Sequence, residues 1–118
     1  MDQNEEMQIF KLISSSGAAK SAYMEAIKNA KQGNVEKSRE LFTEGDEEFI
    51  AAHDIHLAMI SAASQGVSSP ATLIHVHAED QLMATEITKT LAREIAELYR
   101  TTIELRQEVA ELRAKLTS

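Results

Sequence analysis

Residues 70 to 116 read PATLIHVHAEDQLMATEITKTLAREIAELYRTTIELRQEVAELRAKL, a stretch with no glycine and no proline beyond Pro70. Nothing in it breaks a helix, so it predicts one rod of roughly 70 Å at about 1.5 Å per residue. A compact chain of 118 residues would be about half that across. The rod must therefore overhang its own bundle or meet another chain, and its apolar spacing favours another chain. Leu73, His77, Asp80, Ala84, Ile87 and Leu91 follow at steps of 4, 3, 4, 3 and 4. Ile95, Leu98, Thr102, Leu105, Val109, Leu112 and Leu116 continue at 3, 4, 3, 4, 3 and 4. Only the step from Leu91 to Ile95 repeats a 4, the mark of a stutter in the seam. Glu and Arg flank the apolar positions of ELYRTTIELRQEVAELRAKLTS, as they do in a coiled coil.

Two further helical segments are expected upstream. Residues near 5 to 31 carry Phe10, Ile13, Met24 and Ile27 interleaved with Leu12, Ala19, Tyr23 and Ala26, a broad apolar face at helical spacing. Gly33 suits the left-handed position past that helix, and Asn34 suits the cap of the next. The second segment, about 35 to 64, carries Val35, Leu41, Phe42, Phe49, Ala52, Met59, Ile60 and Ala63. Its acidic middle, Glu44-Gly45-Asp46-Glu47-Glu48, is read as a solvated face in which Gly45 permits a close helix approach, because the apolar period resumes in phase. Gln65-Gly66-Val67-Ser68-Ser69-Pro70 is the clearest loop. Gly66 ends the second helix, Ser69 is placed to cap the third, and Pro70 suits its first turn. The first two rods, at roughly 40 to 46 Å each, cannot cover the third. The expectation is one all-α domain spanning residues 1–118, with a coiled-coil extension over about 101–118.

Composition narrows the function. Twelve Lys and Arg against nineteen Asp and Glu give a net charge of −7. Such a chain repels nucleic acid and anionic membrane unless its bases cluster, and these do not. With no cysteine, disulfide scaffolds, thiolate zinc sites and cysteine nucleophiles are excluded. No apolar run approaches the roughly 18 residues of a membrane span. The opening MDQNEEMQIF is acidic and lacks a basic-then-apolar targeting segment, so a cytoplasmic setting without membrane insertion is expected.

Four histidines, His53, His56, His75 and His77, are the candidates for chemistry. His75 and His77 point about 200° apart around a helix and cannot grip one metal from one chain. His53 and His56 share a face, but no third ligand stands near them in sequence. His77 differs because Asp80 lies one turn on, along the same inter-chain stripe. A carboxylate on a buried seam must be neutralised, paired or bound to a cation. On a three-fold axis, three copies of Asp80 would need a cation or shared protons.

The stretch Ile74-His75-Val76-His77-Ala78-Glu79-Asp80-Gln81-Leu82-Met83 resembles the histidine signature of the lactose/cellobiose (chitobiose) class of phosphotransferase-system (PTS) enzyme IIA. Three more segments resemble that family in the same order: Ser14 to Ser21, Ala26 to Asn34 with its Lys31-Gln32-Gly33-Asn34 end, and Ala52-His53 followed by Ile60. The resemblance covers about residues 7 to 100. It implies an antiparallel three-helix protomer assembled as a homotrimer. It implies reversible phosphorylation of His77 on Nε2, with the phosphoryl group arriving from the phosphocarrier HPr and leaving to the cysteine of a cognate enzyme IIB. The cargo implied is a β-linked disaccharide of the lactose, cellobiose or chitobiose type. For Asp80 it implies a divalent cation, magnesium the expected ion, shared by three copies on the trimer axis.

Departures from the family pattern fall close to the site. Glu79 and His56 each stand where the family has glutamine, Gln81 replaces its second histidine, and His75 replaces an aliphatic residue. Glu79 and Gln81 are the residues expected beside His77, and a carboxylate facing a phosphoryl group would repel it. Two readings follow: a sugar phosphocarrier, or a non-catalytic trimeric coiled-coil assembly or regulatory protein that retains the fold.

Overall fold

The computed structural model describes residues 1–67 and 70–117. Three helices follow one another, α1 (Gln3–Lys31), α2 (Val35–Ser64) and α3 (Leu73–Thr117), with no strand among the described residues. The Asp2 side chain caps α1 by accepting the Glu5 N–H at 2.8 Å. Glu5 and Glu6 in the first turn, and Lys28 and Lys31 in the last, complement the helix dipole.

Both tight helix ends are built by one device. After α1, Gly33 has φ +83°, its N–H bonds to the Ala30 carbonyl, and the Asn34 N–H bonds to that of Asn29. After α2, Gly66 has φ +73°, its N–H bonds to Ala63, and Val67 bonds to Ala62. Each glycine takes the left-handed conformation that a side chain would oppose, so the last carbonyls find partners. Asn34 does occupy the position before α2, but its side chain makes no cap. Its amide turns back to Asn29 Oδ1 and Gln32 Oε1, both at 3.3 Å.

The acidic run in α2 stays helical, as the phase of its flanks predicts. A Cβ on Gly45 would lie 2.6 Å from Tyr23 Cε1, so glycine lets α1 and α2 close on each other there. Asp46 is not part of a solvated face. It accepts the Tyr23 hydroxyl at 2.7 Å and ion-pairs with Arg93 of α3, whose guanidinium lies over the Phe42 ring. Burial first, and the Asp46 carboxylate second, push the Tyr23 hydroxyl well above its ordinary pKa.

The core joins Ile9, Leu12, Ala19 and Tyr23 of α1 to Phe49 and Ala52 of α2 and to Ala78, Leu82 and Ala92 of α3. Packing is closest between α1 and α2, and α3 lies mainly on α1. Two apolar residues of the expected α1 face, Phe10 and Met24, are instead 69% and 52% exposed. Small polar residues take space in the interior, and two of them find a nearby carbonyl, whereas the buried Ser16 hydroxyl has no partner among the described residues. Ser38 Oγ donates to Ala26 O at 2.8 Å and Thr85 Oγ1 to Ser16 O at 2.9 Å.

Helix α3 begins at Leu73, so Pro70 lies ahead of its first turn and not in it, contrary to the expectation from sequence. The Val76 N–H bonds to the Thr72 carbonyl, which sets the start at Thr72. The proposed cap, Ser69, lies outside the described residues. The chain measures 75 × 20 × 18 Å, the long dimension being that of α3. Near the α1–α2 turn, Gly33 meets Ile103. Beyond that level α3 runs on alone.

Candidate functional site

The first two turns of α3 carry His75, His77, Glu79 and Asp80, and the helix sorts them onto two sides. Ala78 and Leu82 anchor the inner side in the core. His75 and Glu79 point inward beside them. His75 Nε2 meets Glu5 Oε1 of α1 at 3.1 Å, while its Nδ1 accepts the Thr72 N–H at 3.2 Å. A ring whose Nδ1 accepts carries its proton on Nε2, which it donates to Glu5. Glu79 Oε2 binds Nε2 of His56 on α2 at 2.6 Å. His56 is 8% exposed, so the carboxylate satisfies an imidazole that water cannot easily reach. Glu5, His56, His75 and Glu79 all line one cavity of about 360 Å³ between the three helices.

His77 and Asp80 take the outer side. Both are exposed, and neither makes a hydrogen bond or ion pair with another described residue. The expected neighbours of His77 divide in the same way. Gln81, one turn on, is half-buried, and its carbonyl accepts the Thr85 hydroxyl at 2.9 Å. Glu79 sits about 200° around the helix from His77 with its carboxylate engaged by His56.

The four histidines thus fall into two kinds. His56 and His75 are held by carboxylates, and a ring nitrogen so engaged is a poor nucleophile. His53 and His77 are exposed. His53 lies against Phe49, with ring centroids 6.0 Å apart, and has no carboxylate one turn away on an outer stripe. The shared face of His53 and His56 comes to nothing as a metal grip, because His56 turns to Glu79. Among the described residues no three His, Asp or Glu of one chain converge to hold a metal. Asp80 supplies a single free carboxylate. Its oxygens are of the type a hard divalent cation takes, and a ligand set would need further copies of the chain.

Sequence reasoning missed both histidine–carboxylate pairs. Glu5 is 70 residues from His75, and His56 is 23 from Glu79. The available signal was that His56 and Glu79 depart together from the same residue type.

The fold and the site together define a three-helix protomer with an exposed histidine on its longest helix. Comparison with known proteins specifies the class. The family described as "PTS system, Lactose/Cellobiose specific IIA subunit" matches residues 7–100. The chain is 40% identical over 98 residues to the lichenan-specific phosphotransferase enzyme IIA component of Bacillus subtilis (strain 168), covering 81% of this chain and 89% of that one. It is 36% identical over 92 residues to the oligo-beta-mannoside-specific EIIA component of the same organism, covering 78% and 84%. The crystal structure of the PTS cellobiose-specific enzyme IIA from Bacillus anthracis superposes with a TM-score of 0.83 at 32% identity, covering 88% of this chain and 95% of that one. The chain belongs to the lactose/cellobiose family of PTS enzyme IIA subunits, which are sugar phosphotransfer components. Among the described residues, no helix is long and apolar enough to cross a membrane.

Proposed function

We propose that His77 is the phosphoryl carrier of this chain, charged by phospho-HPr and discharged to the cysteine of a cognate enzyme IIB during cytoplasmic uptake of a β-linked saccharide. The observation that carries the reading is the sorting of the histidines: His77 is exposed and has no partner among the described residues, while its neighbours His56 and His75 are occupied. The lone pair of neutral His77 Nε2 attacks phosphorus, and the donor imidazole leaves with the electrons of the broken N–P bond. The same exchange then passes the group to a cysteine thiolate. Little falls to the protein beyond presenting an accessible ring and managing charge.

Charge management is the proposed role of Asp80. Phosphorylation adds nearly two negative charges one turn from a carboxylate, in a chain already at −7. Three copies meeting along the outer stripe of α3 would bring three Asp80 carboxylates together, and these would hold a divalent cation, magnesium the expected ion, that offsets both. Leu73, Ile87 and Leu91 on that stripe are all more than half exposed in the single chain, which supports assembly there. The reading of a retained fold without phosphotransfer drew on Glu79. Its carboxylate is engaged by His56, so it is no barrier to a phosphoryl group on His77.

Incubation with enzyme I, HPr and phosphoenolpyruvate tests the reading. Mass spectrometry should find one acid-labile phosphate, absent from His77→Ala and retained by His53→Ala, His56→Ala and His75→Ala. Label persisting on His77→Ala would overturn the assignment.

A further inference from the structure

The last turns of α3 lie beyond the family match, which ends at residue 100, and nothing in the proposed phosphotransfer uses them. They continue a seam that begins inside the match. Ile95, Thr102 and Val109 alternate with Leu98, Leu105 and Leu112 at steps of 3 and 4. Leu98, Leu105 and Leu112 are 66%, 55% and 59% exposed. The α1–α2 turn meets α3 at Ile103, so Leu105 and Leu112 lie past both helices, while Leu98 stands at their level and faces outward beside the buried Ala96.

We infer that this tail is a parallel, in-register zipper with the same tail of neighbouring copies. The inference extends the proposed assembly along α3 and commits to its orientation. Charge decides that orientation. Glu94, Thr101 and Glu108 precede the Ile95, Thr102 and Val109 layers, and Tyr99, Arg106 and Arg113 follow the Leu98, Leu105 and Leu112 layers. In a parallel register each preceding position faces the following position five residues further along the next copy, so Glu108 meets Arg113 and Thr101 meets Arg106. In an antiparallel pair, preceding positions face preceding ones, so Glu94 and Glu108 would oppose their own kind, as would Arg106 and Arg113. Continuity points the same way, because the stripe runs unbroken into Ile87, Leu91 and Asp80 and parallel tails keep the bodies together. Strand number is a separate matter. β-Branched residues in one layer and leucine in the other favour two strands when a zipper stands alone, so a three-fold count would have to come from the bodies.

The absence of cysteine makes the test direct. Leu112→Cys, with Leu105→Cys as a second variant, is oxidised at low concentration in the full-length chain. Ala114→Cys, on the solvent side of the same turn, is the control. Identical seam positions lie side by side only in a parallel, in-register zipper. About two-thirds of the seam variants should become covalent dimer in a three-fold assembly, because one thiol of each three is left unpartnered, while the control stays monomeric. Complete conversion would uphold the zipper and overturn the three-fold count. Failure of both seam variants to cross-link, or equal cross-linking of the control, would overturn the zipper. Phosphate on wild-type His77 is read separately, so failure of the tail and failure of the carrier reading are told apart.

Discussion

Along α3, Ala78, Leu82, Thr85, Ala92 and Ala96 are buried against the rest of the bundle, whereas Ile87, Leu91, Leu98 and Leu105 stand in the open. The two stripes lie roughly 160° apart around one rod of 3.6 residues per turn. The covered stripe is made largely of small residues, which let α3 approach α1 closely. The bare one is made of large residues, each worth roughly 1.5–3 kcal/mol if fully buried. A chain that only needed to fold would place its large side chains inward. The inverted arrangement gives the small stripe to the protomer and leaves the large one uncovered, as the proposed assembly requires, and His77 and Asp80 are on the large one.

The strongest way to break that division is a substitution on each side. Leu82, only 1% exposed, should cost about 2–5 kcal/mol on truncation to alanine, read as a lower urea midpoint at any protein concentration. Ile87, 61% exposed, should leave the dilute single chain within about 0.5 kcal/mol of wild type when truncated. It should instead shift sedimentation towards smaller species. An Ile87→Ala chain as destabilised in the dilute state as Leu82→Ala would show that the two stripes are not separate.

Much of this division is legible in the sequence, because it is local. The 3-and-4 spacing from Leu73 to Leu116 marks the outer stripe, and Gly33 and Gly66 mark two helix ends through a left-handed conformation that glycine alone adopts freely. Gly45 reads correctly as a point of close approach, since its flanks keep helical phase. The interior is harder to read. Phe10 and Met24 look like core and are exposed, while Ser16 and Thr85 look like surface and are wholly buried. In a tightly packed bundle, a hydroxyl bonded to a helix carbonyl, as that of Thr85 is to Ser16 O, fits where a ring does not, and Ser16 fits by its small size alone. The start of α3 is misread because Pro70 is compatible with a first turn but does not require one, and Thr72 supplies the carbonyl that begins the helix. The sequence also ranks His77 above the other histidines through its neighbours, but the reason His56 and His75 are unavailable lies in partners from other helices.

A sharper test of the outer stripe concerns charge. If three Asp80 carboxylates share a cation, chelator should lower the melting temperature of the wild-type assembly by several degrees. Asp80→Leu should form an assembly indifferent to chelator, since replacing buried charge with apolar groups is often neutral or stabilising. Elemental analysis of the purified assembly supplies the stoichiometry, expected at one ion per three chains. A metal-free wild-type assembly unaffected by chelator would remove the cation and leave shared protons to balance the carboxylates.

The smallest effect is expected on the inner side, from the His56–Glu79 pair. Its members are unequal: the His56 side chain is 10% exposed and that of Glu79 54%. Removing Glu79 as Glu79→Ala strands a buried ring nitrogen, which should cost about 1–3 kcal/mol. Glu79→Gln keeps an oxygen that can accept from His56 and should cost less. The double variant His56→Gln with Glu79→Gln restores the residue type the family carries at both places. A glutamine amide both donates and accepts, so the double variant should return to within about 0.5 kcal/mol of wild type. Urea unfolding of the singles and the double measures this cycle, and additive losses would show that the 2.6 Å contact contributes nothing as a pair. The same variants also test the comparison from the functional side. The pair faces inward while His77 faces outward, so all of them should charge His77 from phospho-HPr at the wild-type rate. A slowed rate in Glu79→Gln without loss of stability would mean that the inner side of α3 tunes the chemistry of the outer one.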